Sequence, residues 1–248
     1  MLVTAAAAGG TIGGGHLELR SLVIARELLL QPASSLRVGA SRRFPLGPAL
    51  GQCCGGVVHV SFHFCPSGKV PAALDVRATA PLFHLHLFGA GHVGQALVDV
   101  LSVVECEVAW VDSREQQFPA RLPANVTIEF SEAPEEEVSA APPGAFYLIM
   151  THSHALDLAI VERILKRGDA GFIGLIGSKT KRATFERRLL ERGIERALLT
   201  QIMCPIGAPG VVGKAPGVVA IAVAAQLMQI ACTRSGPTGS RVREICAD

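Results

Sequence analysis

The stretch LFHLHLFGAGHVG, residues 82–94, is the sequence feature that most constrains the fold. Its first seven residues are mostly apolar and predict a strand, and Gly89, Gly91 and Gly94 follow as GxGxxG at the start of a predicted helix. In this context the glycines permit a tight turn, close approach of a phosphate to the backbone, and tight packing of helix on strand. The stretch therefore predicts the first strand–turn–helix unit of a Rossmann-like domain.

The following residues repeat this order of strand and helix. Further apolar strands are predicted at residues 107–112, 126–130, 145–150 and 171–177, with helices at 155–167, up to about 192, and from Pro216 onward. Strands that alternate with helices and lack polar alternation are typical of a parallel sheet covered on both faces. We therefore predict an α/β fold with a doubly wound parallel sheet over residues 81–248.

The first 80 residues have a different pattern. Apolar residues recur at helical spacing over residues 17–31, and apolar and polar residues alternate over residues 58–64, which predicts a half-buried strand. Prolines then bracket a stretch without clear periodicity up to Pro81, which predicts a linker. We predict a smaller amino-terminal α+β domain over residues 1–80, with the boundary near residue 80.

Composition excludes several classes of function. The net charge is +2 and there is one Trp and one Tyr, too little charge and stacking surface for the chain as a whole to bind nucleic acid. Seven scattered cysteines without CxxC spacing indicate a reducing compartment, so we expect the cytoplasm. The apolar amino terminus lacks a basic region, and the uncharged residues 215–233 contain Pro, Gly and Gln. A buried helix is therefore predicted there rather than a membrane span.

The glycine turn suits a phosphate-bearing ligand. Asp112 ends the next predicted strand, 18 residues beyond Gly94, where a carboxylate could accept a hydrogen bond from a ribose hydroxyl. The neighbouring Arg114 leaves the choice between NAD and NADP open. Close packing of helix on sheet would require the same glycines. The turn therefore has two interpretations, binding of NAD(P) and a purely structural role. We predict ligand contacts at Gly89, Gly91, His92, Gly94 and Asp112.

Two later turns also follow strands. IGSKTKR, residues 176–182, places Ser178 and Lys179 at a helix start, with Lys181 and Arg182 close by, which would suit a phosphate. THSHALD, residues 151–157, follows a strand at the end where α/β folds bind ligands. An HxH pair alone lacks the further ligands of a zinc site. We therefore predict that Thr151 and His152 contact a ligand through hydrogen bonds.

GQCCGG, residues 51–56, places Cys53 and Cys54 side by side between glycines. One thiol could be a small buried apolar group and the other incidental. The flanking glycines leave the backbone open, and two adjacent soft ligands suit a thiophilic metal centre or sulfur transfer. We favour this functional interpretation and predict both cysteines as metal and cofactor contacts.

The ordered set of motifs resembles the xanthine dehydrogenase accessory protein family. The set comprises TIGGGHLE, GQCCGG, FGAGHVG, VDSR, MTHSHALD, FIGLIGSKTKR and PIGAPGVVGKAP, and it extends over essentially the whole chain. Family members usually have a further strand and a Ser-Ala-Pro-Arg-like turn before the segment matching MLVT. We therefore expect the first sheet of this chain to be one strand short.

The resemblance implies a chaperone without an enzymatic activity of its own. Such a protein binds the molybdenum cofactor, keeps it while a cysteine desulfurase helps to replace an oxo ligand by sulfur, and delivers it to apo xanthine dehydrogenase. It implies Cys53 and Cys54 as cofactor contacts and the glycine loops as phosphate or pterin sites. We also expect a homodimer. The alternatives are an NAD(P)-dependent oxidoreductase, using the glycine turn and Asp112, and a thiol redox or persulfide relay.

Overall fold

The computed structural model describes residues 1–31, 40–45, 56–65 and 81–234. The chain divides into two compact units, with the division between Ala80 and Pro81. Cys53, Cys54 and the predicted linker after Cys65 lie outside the described residues.

The amino-terminal unit combines two small antiparallel pairs with one helix. Strands β1 (Leu2–Val3) and β2 (Ala8–Gly9) form the first pair, helix α1 spans Gly15–Leu29, and β3 (Ala40–Pro45) pairs with β4 (Val57–Phe62). Leu17 and Phe44 are the centre of its apolar cluster. This arrangement confirms the predicted α+β character of the smaller domain and the alternating strand after residue 56.

The second unit alternates strands and helices. Its elements are β5 (His84–Phe88), α2 (His92–Leu101), β6 (Glu107–Asp112), β7 (Val126–Phe130), β8 (Phe146–Ile149), α3 (His154–Arg167), β9 (Phe172–Leu175), α4 (Lys179–Glu191), α5 (Arg196–Leu199), β10 (Ile202–Met203) and α6 (Pro216–Arg234). Two 3₁₀ helices, Glu115–Gln117 and Pro134–Ala140, lie in the connections before and after β7. The predicted strands and the three long carboxy-terminal helices are confirmed, whereas the short β10 was not predicted.

The six strands form one parallel sheet in the order β7–β6–β5–β8–β9–β10. The chain starts at β5 in the middle, moves outward to β7, and returns to β8 on the other side of β5. The sheet is therefore doubly wound, as predicted, and its switch point lies between β5 and β8. Open α/β sheets bind ligands at this point, beyond the carboxyl ends of the strands.

Two apolar layers cover the sheet. On one face, Leu85 and Leu87 of β5 pack with residues of α2 and α6, such as Leu97 and Val223. On the other face, Phe88, Val111, Tyr147 and Ile149 pack with residues of α3 and α4, including Leu158, Ile160 and Phe185. Alternate residues of one strand thus serve opposite layers, which explains why these strands show little polar alternation in sequence.

Helix α6 is apolar enough to warrant comparison with a membrane span. Among the described residues it is the one helix whose length and composition would allow it to cross a membrane, with a mean hydropathy of 1.6. Its residues Ala220, Val223 and Leu227 are fully buried in the layer shared with α2. The helix therefore packs as a core element of the sheet domain.

Candidate functional site

The glycine turn after β5 is held rigidly by its surroundings. The N–H of Gly89 donates to Val111 O at 2.8 Å, and the indole Nε1 of Trp110 donates to Gly89 O at 3.0 Å. The N–H of Ala90 donates to the Asp112 carboxylate at 2.6 Å, and Ala90 O accepts from Gln95 Nε2 at 3.2 Å. Every backbone polar group of the first two loop residues is therefore engaged within the protein.

Glycine stands at the three positions of the turn for different physical reasons. A Cβ on Gly89 would collide with the carbonyl of Met150, and the backbone there has φ +117°, which favours glycine. A Cβ on Gly94 would collide with the carbonyl of Gly89. A Cβ on Gly91 would meet nothing within 4 Å. Packing therefore explains the first and third glycines, while open space adjoins the second, where a ligand phosphate would approach the backbone.

The amino terminus of α2 begins at this open space. Gly91 is its N-cap residue and supplies no side-chain acceptor, whereas Ser153 caps α3 and Ser178 caps α4 with hydrogen bonds to backbone N–H groups. The first N–H groups of a helix have no acceptor within it and carry the positive end of the helix dipole. Without a side-chain cap, these groups of α2 are available to an anion.

Asp112 lies at the end of β6, and Arg114 binds it from two residues further on. Arg114 Nε donates to Oδ1 at 2.9 Å and Nη2 donates to Oδ2 at 2.8 Å, and the backbone N–H of Arg114 also donates to Oδ1 at 2.9 Å. The Asp112 side chain is 2% exposed. With Ala90 as a fourth donor, the carboxylate fastens the glycine loop to β6 and leaves little capacity for a ribose hydroxyl.

The protonation state of Asp112 follows from these contacts. Burial by itself would raise the pKa of the carboxyl group, but the hydrogen bonds from Arg114 and Ala90 outweigh it and lower the pKa below its ordinary value. Asp112 is therefore ionised at neutral pH and acts as a fixed anionic clamp.

Thr151 belongs to a second network that follows β8. Its N–H and Oγ1 donate to Asp157 Oδ1 at 3.0 and 2.7 Å, and Lys181 Nζ donates to Asp157 Oδ2 at 2.6 Å. Lys181 also donates to Ile176 O at 2.9 Å. The side chain of Asp157 is fully buried and that of Lys181 is 10% exposed. The pair therefore ties the turns after β8 and β9 together.

The IGSKTKR turn presents fewer free groups than its sequence suggests. Ser178 Oγ accepts the backbone N–H of Lys181, and the ammonium of Lys181 is held by Asp157. Arg182 pairs with Glu186 one helical turn further on. The side chain of Lys179 is exposed. Of the three cations predicted to converge there, Lys179 alone carries no ion pair within the described part of the chain.

His92 and His152 are exposed at the carboxyl edge of the sheet, at the start of α2 and in the turn after β8. A narrow cleft at His152 does not admit a water-sized sphere, and its lining comprises Val111, Asp112, Ser113, Pro134, Thr151, His152 and Leu156. A ligand would therefore lie over the loops or widen the cleft. Among the residues that the structure describes, three or more metal-ligating side chains do not meet anywhere.

Several residues of this arrangement were not predicted as parts of it. Trp110 and Gln95 hold the glycine loop, and Asp157, in the first turn of α3, is the buried partner of Lys181. A polar atom on Trp110 within a buried strand was the available signal, because a buried indole N–H needs an acceptor. Nothing in the spacing of Asp157 and Lys181, 24 residues apart, indicates their contact.

The doubly wound parallel sheet, with its glycine turn at the switch point, defines a Rossmann-type protein. The family model described as the XdhC Rossmann domain matches residues 85–227, more than half of the chain. The chain therefore belongs to the XdhC family. This membership is consistent with an accessory role in the maturation of xanthine dehydrogenase.

Two known proteins resemble the chain over most of its length. The uncharacterized protein YqeB of Escherichia coli K12 is 28% identical over 224 residues, which are 89% of this chain and 38% of YqeB. The chain thus spans about two fifths of the length of that relative. A solved structure described as a xanthine dehydrogenase from Bacillus halodurans superposes with a TM-score of 0.68 at 21% identity, covering 94% of this chain and 84% of the other. That likeness supports the fold.

Proposed function

We propose that the protein binds the molybdenum cofactor and delivers it to apo xanthine dehydrogenase as a maturation chaperone. The observation that carries the proposal is the amino terminus of α2, which lacks a side-chain cap and adjoins open space at Gly91. The cofactor is cargo with a phosphate tail, and free backbone N–H groups at a helix start bind phosphate well. Membership in the XdhC family supports the choice of cargo.

The residues at the switch point fit the phosphate end of such a cargo. Gly91 leaves room for it, and His92 and His152 are exposed on either side of the switch point and offer hydrogen bonds to the pterin. Lys179 supplies an exposed cation at the start of α4. In the proposal these residues hold the cargo, while Asp112 and Asp157 fix the loops that carry them.

The proposal assigns the metal end of the cargo to Cys53 and Cys54. Thiolates are soft ligands that suit a molybdenum centre, and they would hold it while a cysteine desulfurase supplies sulfur. Both cysteines lie outside the described residues, so their role rests on the GQCCGG motif and on the family resemblance. A homodimer and a cytoplasmic location belong to the same proposal.

The geometry at Asp112 does not favour the NAD(P)-dependent alternative. A dinucleotide-binding domain uses the acidic residue at this position to accept from the ribose. Here the oxygens of Asp112 already accept from Arg114 and Ala90. We therefore expect no NAD or NADP binding in the micromolar range.

A cofactor-retention experiment tests the proposal. The protein is isolated after expression in cells that make the cofactor, denatured, and assayed for oxidised fluorescent pterin. We expect pterin with the wild type and much less with Gly91→Ala, because the new methyl group occupies the phosphate approach. Gly217→Ala is the matched control, since a Cβ at Gly217 also meets nothing within 4 Å but lies in α6.

The cysteines are tested separately in a maturation assay. Cys53→Ser/Cys54→Ser should lower the activity that apo xanthine dehydrogenase gains, with the fold unchanged. Absence of pterin from the wild type, together with unchanged maturation by the double cysteine variant, would refute the proposed function.

A further inference from the structure

A depression of about 330 Å³ opens on one face of the sheet, near the amino ends of the strands and opposite the edge that carries the glycine turn. Its lining comprises His84, Leu85, His86, Glu107, Val108, Ala109, Ala124, Asn125, Thr127, Glu129 and Pro142. Sites for small molecules have volumes of roughly 300–1,000 Å³. The depression is therefore large enough for a small ligand.

The depression exists because one crossover is short. The connection from β7 to β8 uses the seven-residue 3₁₀ helix Pro134–Ala140 in place of a full α-helix. Its Val138 packs with Phe88 and Val111 in the carboxyl half of the sheet. Glu107 and Thr127, towards the amino ends, stay exposed on the same face. A strip of sheet that a longer helix would cover is thus left as a concave polar surface.

Three buried side-chain polar atoms of the described residues have no hydrogen-bond partner, and two of them belong to residues that line the depression. They are His86 Nδ1, Asn125 Oδ1 and Tyr147 Oη, and the described residues contain no other buried side-chain nitrogen or oxygen of this kind. His86 is 7% exposed and borders the depression. Tyr147 packs against it with ring centroids 5.8 Å apart. Buried polar groups are normally paired, so unpaired ones beside a cavity indicate a missing partner.

The orientation of Asn125 shows which chemistry is missing. Its Nδ2 donates to Leu101 O at 3.0 Å and to Cys106 O at 3.1 Å, which fixes the amide so that Oδ1 is the unused atom. A carbonyl oxygen can only accept a hydrogen bond. A partner for Asn125 must therefore bring an N–H or O–H donor.

The charge around the depression points in the same direction. Glu107 and Glu129 supply two carboxylates, and His84 Nδ1 lies 3.0 Å from Glu107 Oε2. The lining includes neither Lys nor Arg. Burial, with smaller effects of Arg167 and His84, lowers the pKa of His86 to about 4, so its imidazole is neutral at physiological pH. The lining thus disfavours phosphates and carboxylates and favours cations.

We propose that this depression is a second binding site, separate from the glycine turn, for a small organic cation with several N–H donors, such as a guanidinium or amidinium compound. Glu107 and Glu129 supply the charge, and Asn125 Oδ1 accepts one of the N–H groups. A planar guanidinium can bind one of these carboxylates through two of its donors, because they form a rigid fork. The site is thus the chemical opposite of the donor-rich turn at α2.

Binding is measured on the full-length protein with arginine amide as the probe. Chemical shifts of the His86 ring and the Asn125 side-chain amide are followed by NMR during the titration. Citrulline amide is the control, because it has nearly the same shape and the same α-amino group but a neutral urea in place of the guanidinium. We expect saturable shifts with arginine amide and affinity at least about tenfold weaker for citrulline amide, a difference of about 1.4 kcal/mol.

Matched variants localise the effect. Glu107→Gln/Glu129→Gln should weaken arginine amide binding at least about tenfold. Glu105→Gln removes a neighbouring exposed carboxylate that does not line the depression and should leave binding unchanged. Two results would overturn the proposal: equal binding of the two amides, or no shift of His86 and Asn125 at millimolar arginine amide. Water would then be the hydrogen-bond partner of the unpaired atoms. Gly91→Ala should bind as the wild type does, which separates this site from the proposed cofactor site.

Discussion

Arg114 binds both carboxylate oxygens of Asp112, with Nε 2.9 Å from Oδ1 and Nη2 2.8 Å from Oδ2. The same carboxylate accepts the N–H of Ala90, so one buried anion joins the end of β6 to the glycine turn. A residue whose sequence position suggests a ligand contact thus acts as a structural clamp. The groups that remain available to an anion at this turn are the backbone N–H groups that follow Gly91.

Replacing Asp112 by Asn should loosen the turn. The Arg114 guanidinium and the Ala90 N–H would lose a charged acceptor, which we expect to lower the free energy of unfolding by about 1–3 kcal/mol. Since the pKa of Asp112 is lowered in the folded state, its stabilising effect is present above the ordinary carboxyl pKa and is lost as pH falls through the folded pKa. Urea unfolding followed by fluorescence of Trp110, the single Trp, measures both effects. Asp99→Asn, at an exposed carboxylate of α2, should change neither.

The buried pair of Asp157 and Lys181 provides a second test. Lys181→Met would leave the fully buried Asp157 carboxylate without its cation, which we expect to cost about 3–5 kcal/mol of unfolding free energy. Lys179→Met is the control, because Lys179 is exposed in the same turn. If the two variants have the same urea midpoint, the ion pair does not hold the turns together.

The glycines of the turn should separate folding from binding. Gly94→Ala should destabilise the sheet domain strongly, because its Cβ would collide with the Gly89 carbonyl. Gly91→Ala meets open space at φ −74°, so we expect a cost of about 1 kcal/mol or less from the weaker N-cap residue. Thermal unfolding by circular dichroism compares them. A larger loss of stability for Gly91→Ala than for Gly94→Ala would contradict the close packing of Gly94 on Gly89.

His86 should make stability fall in mild acid. Its pKa is lowered to about 4 in the folded protein by burial, by Arg167 and by His84, against a partly opposing effect of Glu137. The unfolded chain therefore binds a proton first as pH falls below about 6.5. The contribution of His86 to the free energy of unfolding is fully present above that pH, and up to about 3 kcal/mol of it is lost as the pH falls to 4.

His86→Gln should flatten this part of the pH profile, because Gln does not titrate. The measurement is the urea midpoint between pH 4.5 and 7, followed by Trp110 fluorescence, in wild type and variant. His154→Gln serves as the control, because His154 is exposed at the start of α3. An unchanged slope in His86→Gln would contradict the buried neutral imidazole.

Local pattern in the sequence was sufficient to predict the strands and helices around the sheet. Uninterrupted apolar runs such as residues 108–111 and 145–150 can be buried on both sides only between two covering layers, and Gly89 marks the turn that joins β5 to α2. The two-residue β10 and the 3₁₀ crossover were not predicted, because so short a segment carries no measurable periodicity.

The sequence by itself determined the alternating order of the second unit, the glycine turn and the family to which the chain belongs, because these depend on neighbouring residues. Only the tertiary structure decided that the Arg114 guanidinium binds the Asp112 carboxylate and that Lys181 forms a buried ion pair with Asp157. It also decided that His86 and Asn125 line a polar depression. The pair of Lys181 and Asp157 joins two different helices, and all of these outcomes depend on which lone pairs and charges remain unsatisfied once the sheet has formed. No spacing along the chain records that outcome.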